Sequence, residues 1–141
     1  MKTKLIVVSK IKSAPFADES LEYLRRIKKI IPFELVEVAD SEAAIRALRP
    51  GTYCVALDES GVQYTSRQFS EKISKLLQSS HKEIVWIVGG SYGLGPALKE
   101  RANELFSLSK LTMSHDLARV VFLEQFYRGL SILKGLPYHH D

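Results

Sequence analysis

The stretch Ile84-Val-Trp-Ile-Val-Gly-Gly-Ser-Tyr-Gly-Leu-Gly-Pro96 is the most informative part of this chain for its fold class. Its first five residues are all apolar, which is typical of a central parallel strand that is covered on both faces of its sheet. The glycines that follow let the backbone turn sharply, and Pro96 suits the first turn of a helix. The stretch therefore predicts a buried strand, a glycine-rich loop and a helix, in that order.

Strand-like runs and helical patterns alternate on both sides of this stretch. The strand-like runs are residues 5–8, 33–38, 53–57, 84–88 and 105–108. Between them, apolar residues recur at three- and four-residue steps, and Thr65 with Gln68 forms the pattern of a helix-capping box. A last helical pattern begins near Asp116 and is stopped by Gly135 and Pro137. The alternation predicts an α/β fold in which a parallel sheet is flanked by helices.

Length and composition favour one soluble domain that spans residues 1–141. The chain has 45% hydrophobic and 26% charged residues, which is typical of a globular protein. No run reaches the roughly 20 apolar residues of a membrane span. The first apolar run ends at Ser9 and Lys10, too soon for a signal peptide. We therefore expect a cytoplasmic protein without membrane contact.

The single cysteine and the charge distribution narrow the function classes further. Cys54 cannot form an internal disulfide, and its apolar surroundings predict a buried structural thiol rather than a nucleophile. The net charge of +4 fits a polyanionic partner. Eight lysines and arginines lie between Lys2 and Lys29. They form either a solvated helix face or an RNA-facing patch, and the pattern alone does not separate these interpretations.

The glycine-rich loop is a candidate ligand site, because ligands of open α/β sheets bind beyond the carboxyl ends of the strands. Its spacing, Gly90-x-x-Gly93-x-Gly95, is not the dinucleotide fingerprint, and no lysine followed by serine or threonine makes it a phosphate loop. The spacing therefore supports neither a nicotinamide nor an ATP site. By itself, the loop is also compatible with a tight turn that binds nothing.

Two further segments carry polar groups that suit a nucleotide substrate. Thr112, His115 and Arg119 gather between the last predicted strand and the last helix, where Ser114 and Asp116 are also helix-capping types. The tail Pro137-Tyr-His-His-Asp141 either frays, as chain ends usually do, or folds over a site. Its adjacent histidines lack the additional ligands of a closed metal site, so we expect no metal.

Taken together, these features resemble the RlmH family, which are SPOUT-class methyltransferases of large-subunit ribosomal RNA. The resemblance covers the entire chain and rests on the ordered segments Tyr23-Leu-Arg-Arg26, Pro32-Phe-Glu-Leu35, Leu57-Asp-Glu-Ser-Gly61, Gly89-Gly-Ser-Tyr-Gly-Leu94, Leu108-Ser-Lys-Leu-Thr-Met113, His115 with Arg119, Glu124-Gln-Phe-Tyr-Arg128 and Pro137-Tyr-His139. Asp116 departs from the family, whose members more often carry glutamine or proline after the histidine.

The resemblance implies a SPOUT-type α/β knot, in which the carboxyl-terminal stretch is threaded through a trefoil knot. It also implies a homodimer whose active sites are completed by the partner subunit. The implied methyl donor is S-adenosyl-L-methionine. By matching positions, its binding residues are Leu57, Gly89, Gly90, Leu108, Ser109, Lys110, Leu111, Thr112 and Met113.

The implied reaction is methylation of N3 of a pseudouridine in 23S ribosomal RNA, presented in the large subunit or the assembled ribosome. A base must remove the N3 proton, and His115 and His139 are the candidates. Arg119 or Arg128 can stabilise the resulting anion, although Glu124 lies four residues before Arg128 and can pair with it. Tyr138 can stack on or hydrogen-bond the nucleotide. The alternatives are a SPOUT methyltransferase that acts on another RNA and a non-catalytic ribosome- or RNA-binding protein.

Overall fold

The computed structural model describes residues 2–141 and contains a five-stranded parallel sheet flanked by helices. The strands are β1 (Lys2–Val8), β2 (Glu34–Val38), β3 (Thr52–Val62), β4 (Glu83–Val88) and β5 (Glu104–Phe106). The helices are α1 (Ala14–Lys28), α2 (Ser41–Arg46), α3 (Ser66–Leu77), α4 (Pro96–Arg101) and α5 (His115–Lys134). The predicted α/β class is therefore confirmed, while the trefoil knot stays a prediction.

Strand β4 lies at the centre of the sheet, whose order is β2-β1-β4-β3-β5. Five of its six residues are fully buried, and Trp86 is in register with Leu5 of β1 and Val55 of β3. Both faces of β4 are covered, which explains why its sequence is apolar throughout. The carboxyl ends of the parallel strands meet at one edge, and the glycine-rich loop leaves the sheet there.

Alternate residues of each strand feed two separate hydrophobic cores, as the two-residue period of a strand requires. One core contains Trp86 together with Phe69, Phe122 and Phe126 from helices α3 and α5. The other is smaller and includes Ile87 with residues of α2 and α4. Cys54 is fully buried in this second core, and burial raises the pKa of its thiol to about 11. The prediction of a structural cysteine is thus confirmed.

The ends of the helices follow the capping patterns of the sequence. Thr65 and Gln68 form the predicted capping box of α3. Ser114 caps α5 by accepting a hydrogen bond from the Leu117 backbone N–H, and the helix ends at Gly135. None of the helices within residues 2–141 combines the length and the apolarity needed to cross a membrane.

Strand β3 is longer than predicted, because it continues past Leu57 to Val62 after a register shift against β5. Gly61 makes this continuation possible: a Cβ there would lie 2.5 Å from the Leu105 carbonyl carbon, a distance no side chain tolerates. The residues between Leu57 and Val62 are mostly polar, so apolar runs in the sequence do not indicate this part of the strand. It brings Asp58 and Glu59 to the edge of the sheet where β4 ends.

Candidate active site

A cleft of about 580 Å³ opens at the carboxyl edge of the sheet, a size typical of small-molecule sites. Three segments form its walls: the end of β3, the glycine-rich loop after β4, and the connection from β5 into the first turn of α5. The lining residues are Leu57, Asp58, Glu59, Val88, Gly89, Gly90, Ser91, Gly93, Leu108, Ser109, Leu111, Thr112, Met113, Ser114, His115 and Ala118.

The structure brings eight of the nine predicted donor-binding residues to this cleft. They are Leu57, Gly89, Gly90, Leu108, Ser109, Leu111, Thr112 and Met113. Lys110 is exposed and does not line the cleft. The sequence could assemble this set only through the family resemblance, because the three segments lie far apart along the chain.

Internal hydrogen bonds hold the connection between β5 and α5 in shape. The Ser107 hydroxyl donates to the Ser109 carbonyl oxygen at 3.0 Å, and the Leu111 N–H donates to the Ser109 hydroxyl at 2.9 Å. The Thr112 hydroxyl donates to Glu59 Oε1 at 3.0 Å across the cleft. These bonds leave the Leu108 and Leu111 side chains as apolar walls.

Gly89 is required by the loop itself. A Cβ on this residue would lie 2.8 Å from the Gly93 carbonyl carbon and 2.9 Å from the Gly93 oxygen. The loop closes there through a hydrogen bond from the Gly93 N–H to the Gly90 carbonyl, at 2.9 Å. A side chain at Gly89 would therefore displace the opposite strand of the loop before it met any ligand.

His115 is the only predicted catalytic residue that lines the cleft. Its Nδ1 atom lies 3.4 Å from the hydroxyl oxygen of Ser91 in the glycine-rich loop. Its Nε2 atom lies 3.3 Å from Oδ1 of Asp116. Sequence reasoning assigned neither Ser91 nor Asp116 to the site, because no local pattern links a loop serine to a helix that begins more than twenty residues later.

Asp116 anchors the residues that precede a helix other than its own. Its Oδ2 atom accepts hydrogen bonds from the backbone N–H groups of Lys12 and Ser13, both at 3.0 Å, directly before α1. Ser13 is the N-cap residue of α1, and its side chain makes no capping bond. The carboxylate of Asp116 binds the N–H groups of this N-cap residue and of the residue before it, while Ser114 caps α5. Of the two capping types in this segment, only Ser114 caps α5, and Asp116 instead anchors the residues that precede α1.

Arg119 lies outside the cleft and is buried, with 4% of its surface exposed. Its guanidinium donates to Glu37 Oε2 at 2.9 Å and to the Ser9 carbonyl oxygen at 3.1 Å. Ser9 has a φ of +92°, a conformation that a residue other than glycine rarely adopts. Arg119 therefore holds the connection between β1 and α1 in this conformation.

The other predicted catalytic residues form a second cluster, at the far end of α5. Arg128 donates to Glu124 Oε2 at 2.6 Å, and the Tyr138 hydroxyl donates to the same oxygen at 2.8 Å. His139 Nδ1 lies 3.1 Å from Arg128 Nη1. Burial, together with hydrogen bonds to Tyr23 and Glu124, raises the pKa of Tyr138, which keeps its hydroxyl protonated. We call these four residues, Glu124, Arg128, Tyr138 and His139, the tail cluster.

The tail is packed against the protein instead of fraying. The Tyr138 ring meets the Tyr127 ring edge-to-face at 4.7 Å between centroids. Asp141 pairs with Arg67 of α3 at 2.6 Å, and this hydrogen bond lowers the pKa of Asp141 to about 2. The tail thus folds back onto its own chain, where it covers the end of α5 and not the cleft.

His115 and the tail cluster cannot share one reactive centre within a single chain. Residues 115 and 128 are thirteen positions apart on α5, which corresponds to about 20 Å along the helix axis. A nucleobase spans much less than this distance. Either only one of the two groups is catalytic, or the tail cluster acts at the cleft of another copy of the chain.

The basic helix α1 carries both paired and exposed cations. Arg25 and Arg26 hold Glu22 at 2.8 and 2.9 Å, and their hydrogen bonds lower the pKa of Glu22 to about 2. Lys28 and Lys29 at the end of the helix are exposed. Within residues 2–141, no group of three or more histidine, cysteine, aspartate or glutamate side chains is arranged to hold a metal ion.

Comparison with known proteins gives consistent results. A family model described as "Predicted SPOUT methyltransferase" matches residues 1–139. The chain is 39% identical to ribosomal RNA large subunit methyltransferase H of Parabacteroides distasonis, with 100% of both chains covered. It is equally similar, at 39% over 99% of both chains, to the protein of the same name from Gloeobacter violaceus. A solved structure described as a probable methylase family protein from Haemophilus influenzae Rd KW20 shares the fold, with a TM-score of 0.60 and 9% identity over 99% of this chain and 70% of that one.

Proposed function

The chain belongs to the family of ribosomal RNA large subunit methyltransferase H, within the SPOUT methyltransferases, and from this premise we propose that it methylates ribosomal RNA. The proposed acceptor is N3 of a pseudouridine in 23S ribosomal RNA, and the proposed donor is S-adenosyl-L-methionine. The observation that carries the proposal is the cleft where β3, β4 and β5 end, on a chain that matches these relatives over its full length. We expect the reaction to take place in the cytoplasm, on a large subunit or an assembled ribosome.

The residues of the cleft fit this donor. Leu57, Leu108 and Met113 offer an apolar slot for adenine. Asp58 and Glu59 add acidic groups to the same cleft, which suits a ligand that carries a cationic sulfonium. Hydrogen bonds from the Ser60 hydroxyl and backbone lower the pKa of Asp58, so its carboxylate is negative at neutral pH. When bound, the donor supplies an electrophilic methyl carbon.

The protein contributes chiefly orientation and removal of one proton. Holding N3 in line with the methyl carbon can lower the barrier by roughly 7 to 11 kcal/mol. The N3 proton must leave as the new bond forms, and His115 is the one candidate base that lines the cleft. Neither step requires a metal ion or a covalent enzyme intermediate.

We further propose a homodimer in which the tail cluster of one protomer completes the cleft of the other. The separation of about 20 Å between His115 and Arg128 supports this arrangement, because one chain cannot bring both to one base. Exposed apolar side chains on the segments that border the cleft also support it. They are Tyr92, which is fully exposed, and Leu111 and Leu117, with 78% and 37% of their surfaces exposed.

The decisive experiment measures the modification in RNA. We expect ribosomal RNA from cells that lack this gene to lose one methylated pseudouridine in mass spectrometry, and purified protein with S-adenosyl-L-methionine to restore it on large subunits or ribosomes. Calorimetric titration of the protein with the donor should give saturable heat. A protein that binds RNA but gives no such heat is a non-catalytic RNA-binding protein, and methylation at another position identifies a different RNA target.

A further inference from the structure

His115 and Asp116 face each other through two buried atoms that have no hydrogen-bond partner. Neither Nε2 of His115 nor Oδ1 of Asp116 makes a hydrogen bond within the described chain, and each is shielded from solvent. The two atoms lie 3.3 Å apart. A small rotation of the imidazole would align them, and leaving both unpaired would cost about 1–3 kcal/mol for each group. The arrangement therefore favours a hydrogen bond from Nε2–H to Oδ1.

The carboxylate of Asp116 is held in place by groups that can only donate. The backbone N–H groups of Lys12 and Ser13 both point at Oδ2, at 3.0 Å. These amides lie just before α1, where the helix N-terminus also favours a negative group. The carboxylate is thus fixed with one oxygen on the backbone and the other directed at His115.

On this basis we propose that Asp116 is a positioning residue, which fixes the tautomer of His115 so that Nδ1 is the proton-accepting atom in the cleft. If Asp116 accepts the Nε2–H, the lone pair of the neutral imidazole is on Nδ1. That atom lies beside the Ser91 hydroxyl, 3.4 Å away, on the glycine-rich loop of the cleft. The inference rests on the proposed methylation, to which it adds the atom that accepts the proton.

Proton transfer to His115 accompanies transfer of the methyl group. Nδ1 of His115 takes the proton of pseudouridine N3, and the electron pair on N3 forms the new bond to the methyl carbon. The pair of the breaking carbon–sulfur bond stays on sulfur, which becomes a neutral thioether. The imidazolium that forms is stabilised by the Asp116 carboxylate and returns its proton to water.

The other candidate base, His139, is less suited to this step in the observed conformation. Its Nδ1 lies 3.1 Å from Arg128, which can only donate, and its Nε2 lies 2.9 Å from Asp141, which accepts. Both ring nitrogens are therefore occupied. The tail cluster is left with the roles of binding and orienting the nucleotide.

Replacement of Asp116 by asparagine tests the proposal with almost no change in shape. The side-chain oxygen of Asp116→Asn must stay on the Lys12 and Ser13 amides, so its NH₂ group would face Nε2 of His115. Nε2 would then have to accept, and the ring proton would move to Nδ1. We expect kcat for ribosomal RNA methylation to fall by about tenfold to a hundredfold, while the donor dissociation constant changes less than about twofold.

Nitrogen NMR of histidine-labelled protein reports the tautomer directly and does not depend on activity. The His115 signals are assigned by their loss in His115→Gln. We expect a protonated Nε2 in the native protein and a protonated Nδ1 in Asp116→Asn. Asp40→Asn is the matched control, because the Asp40 carboxylate also accepts a backbone N–H, at the start of α2, with no histidine beside it. It should leave both kcat and the His115 signals unchanged.

Each outcome separates the inference from the proposed function. A native protein with the proton on Nδ1 would overturn the inference, whatever the activity. So would an Asp116→Asn protein that switches tautomer yet keeps the native kcat, or one that loses activity only in proportion to lost folding. If the native protein methylates no ribosomal RNA, the proposed function fails, and a proton found on Nε2 would still establish the pairing of His115 with Asp116.

Discussion

Arg119 illustrates how a side chain that looks catalytic in the sequence can have a structural task. Its position four residues after His115 suggests that both act on one substrate, but its guanidinium is buried against Glu37 and the Ser9 carbonyl. In the described conformation it holds the β1–α1 connection and does not reach the cleft. Its effect on activity should therefore follow its effect on folding.

We predict that Arg119→Ala lowers the free energy of unfolding by about 2 kcal/mol, since it removes two part-buried hydrogen bonds, one of which is also the ion pair with Glu37. Glu37 remains partly solvated, which limits the loss. Urea unfolding measures the change, and methylation is assayed well below the new midpoint. If Arg119→Ala is stable but its kcat is lowered by orders of magnitude, Arg119 takes part in the reaction itself.

Gly89 offers a second test at the scale of one residue. Gly89→Val should weaken S-adenosyl-L-methionine binding by at least about tenfold, because the added side chain displaces the loop at Gly93. Some stability should be lost as well, since the clash is with backbone. Calorimetry gives the affinity. Gly135→Ala is the control, because Gly135 lies at the end of α5 that is remote from the cleft, and it should leave donor affinity unchanged. If Gly89→Val binds the donor with unchanged affinity, the glycine-rich loop is not part of the donor site.

At the scale of whole elements, the tail is the segment whose function is most open to test. It is tied to the protein through Tyr138, His139 and Asp141. We predict that deletion of residues 138–141 lowers the methylation rate by about a hundredfold or more, through loss of groups that orient the nucleotide. The tail is proposed to contact the nucleotide and not the donor, so donor affinity should change little. Full activity of the truncated protein on ribosomes would show that the tail has no part in the reaction.

The elements themselves were largely predictable because their signals are local. Apolar runs marked all five strands, and capping residues such as Thr65 and Ser114 marked the starts of helices. Interactions between distant segments were not predictable in the same way. The bond from Lys12 to Asp116 joins residues 104 positions apart, and neither residue carries a pattern that names its partner. The same reason hid the contact between Ser91 and His115.

At the level of the whole molecule, the large apolar residues of the last helix do not supply a dimer interface. Phe122 and Phe126 of α5 are fully buried in the core of their own chain. They leave nothing for a partner to cover. The exposed apolar residues at the rim of the cleft and the distance between His115 and the tail cluster are now the support for a shared site.

We predict that sedimentation at micromolar concentration gives about twice the 15.9 kDa of the chain. Two inactive proteins, His115→Ala and the 138–141 deletion, should restore activity when they are mixed and reassembled. Each mixed dimer would hold one intact site and one doubly defective site. An equal mixture should therefore reach about a quarter of native activity. No recovery would mean that each chain carries its own complete site.

The position of Trp86 in the central strand has a practical consequence. It is the only tryptophan of the chain, it is 1% exposed, and its indole N–H donates to Thr3 at 3.1 Å in the core that faces α3 and α5. Apart from Val88, the last residue of that strand, the cleft residues belong to other segments of the chain. The fluorescence emission of Trp86 therefore reports whether the core is folded. Donor binding should change this emission little. The emission of each variant above therefore shows whether the substitution unfolds the core or changes only the cleft at the edge of the sheet.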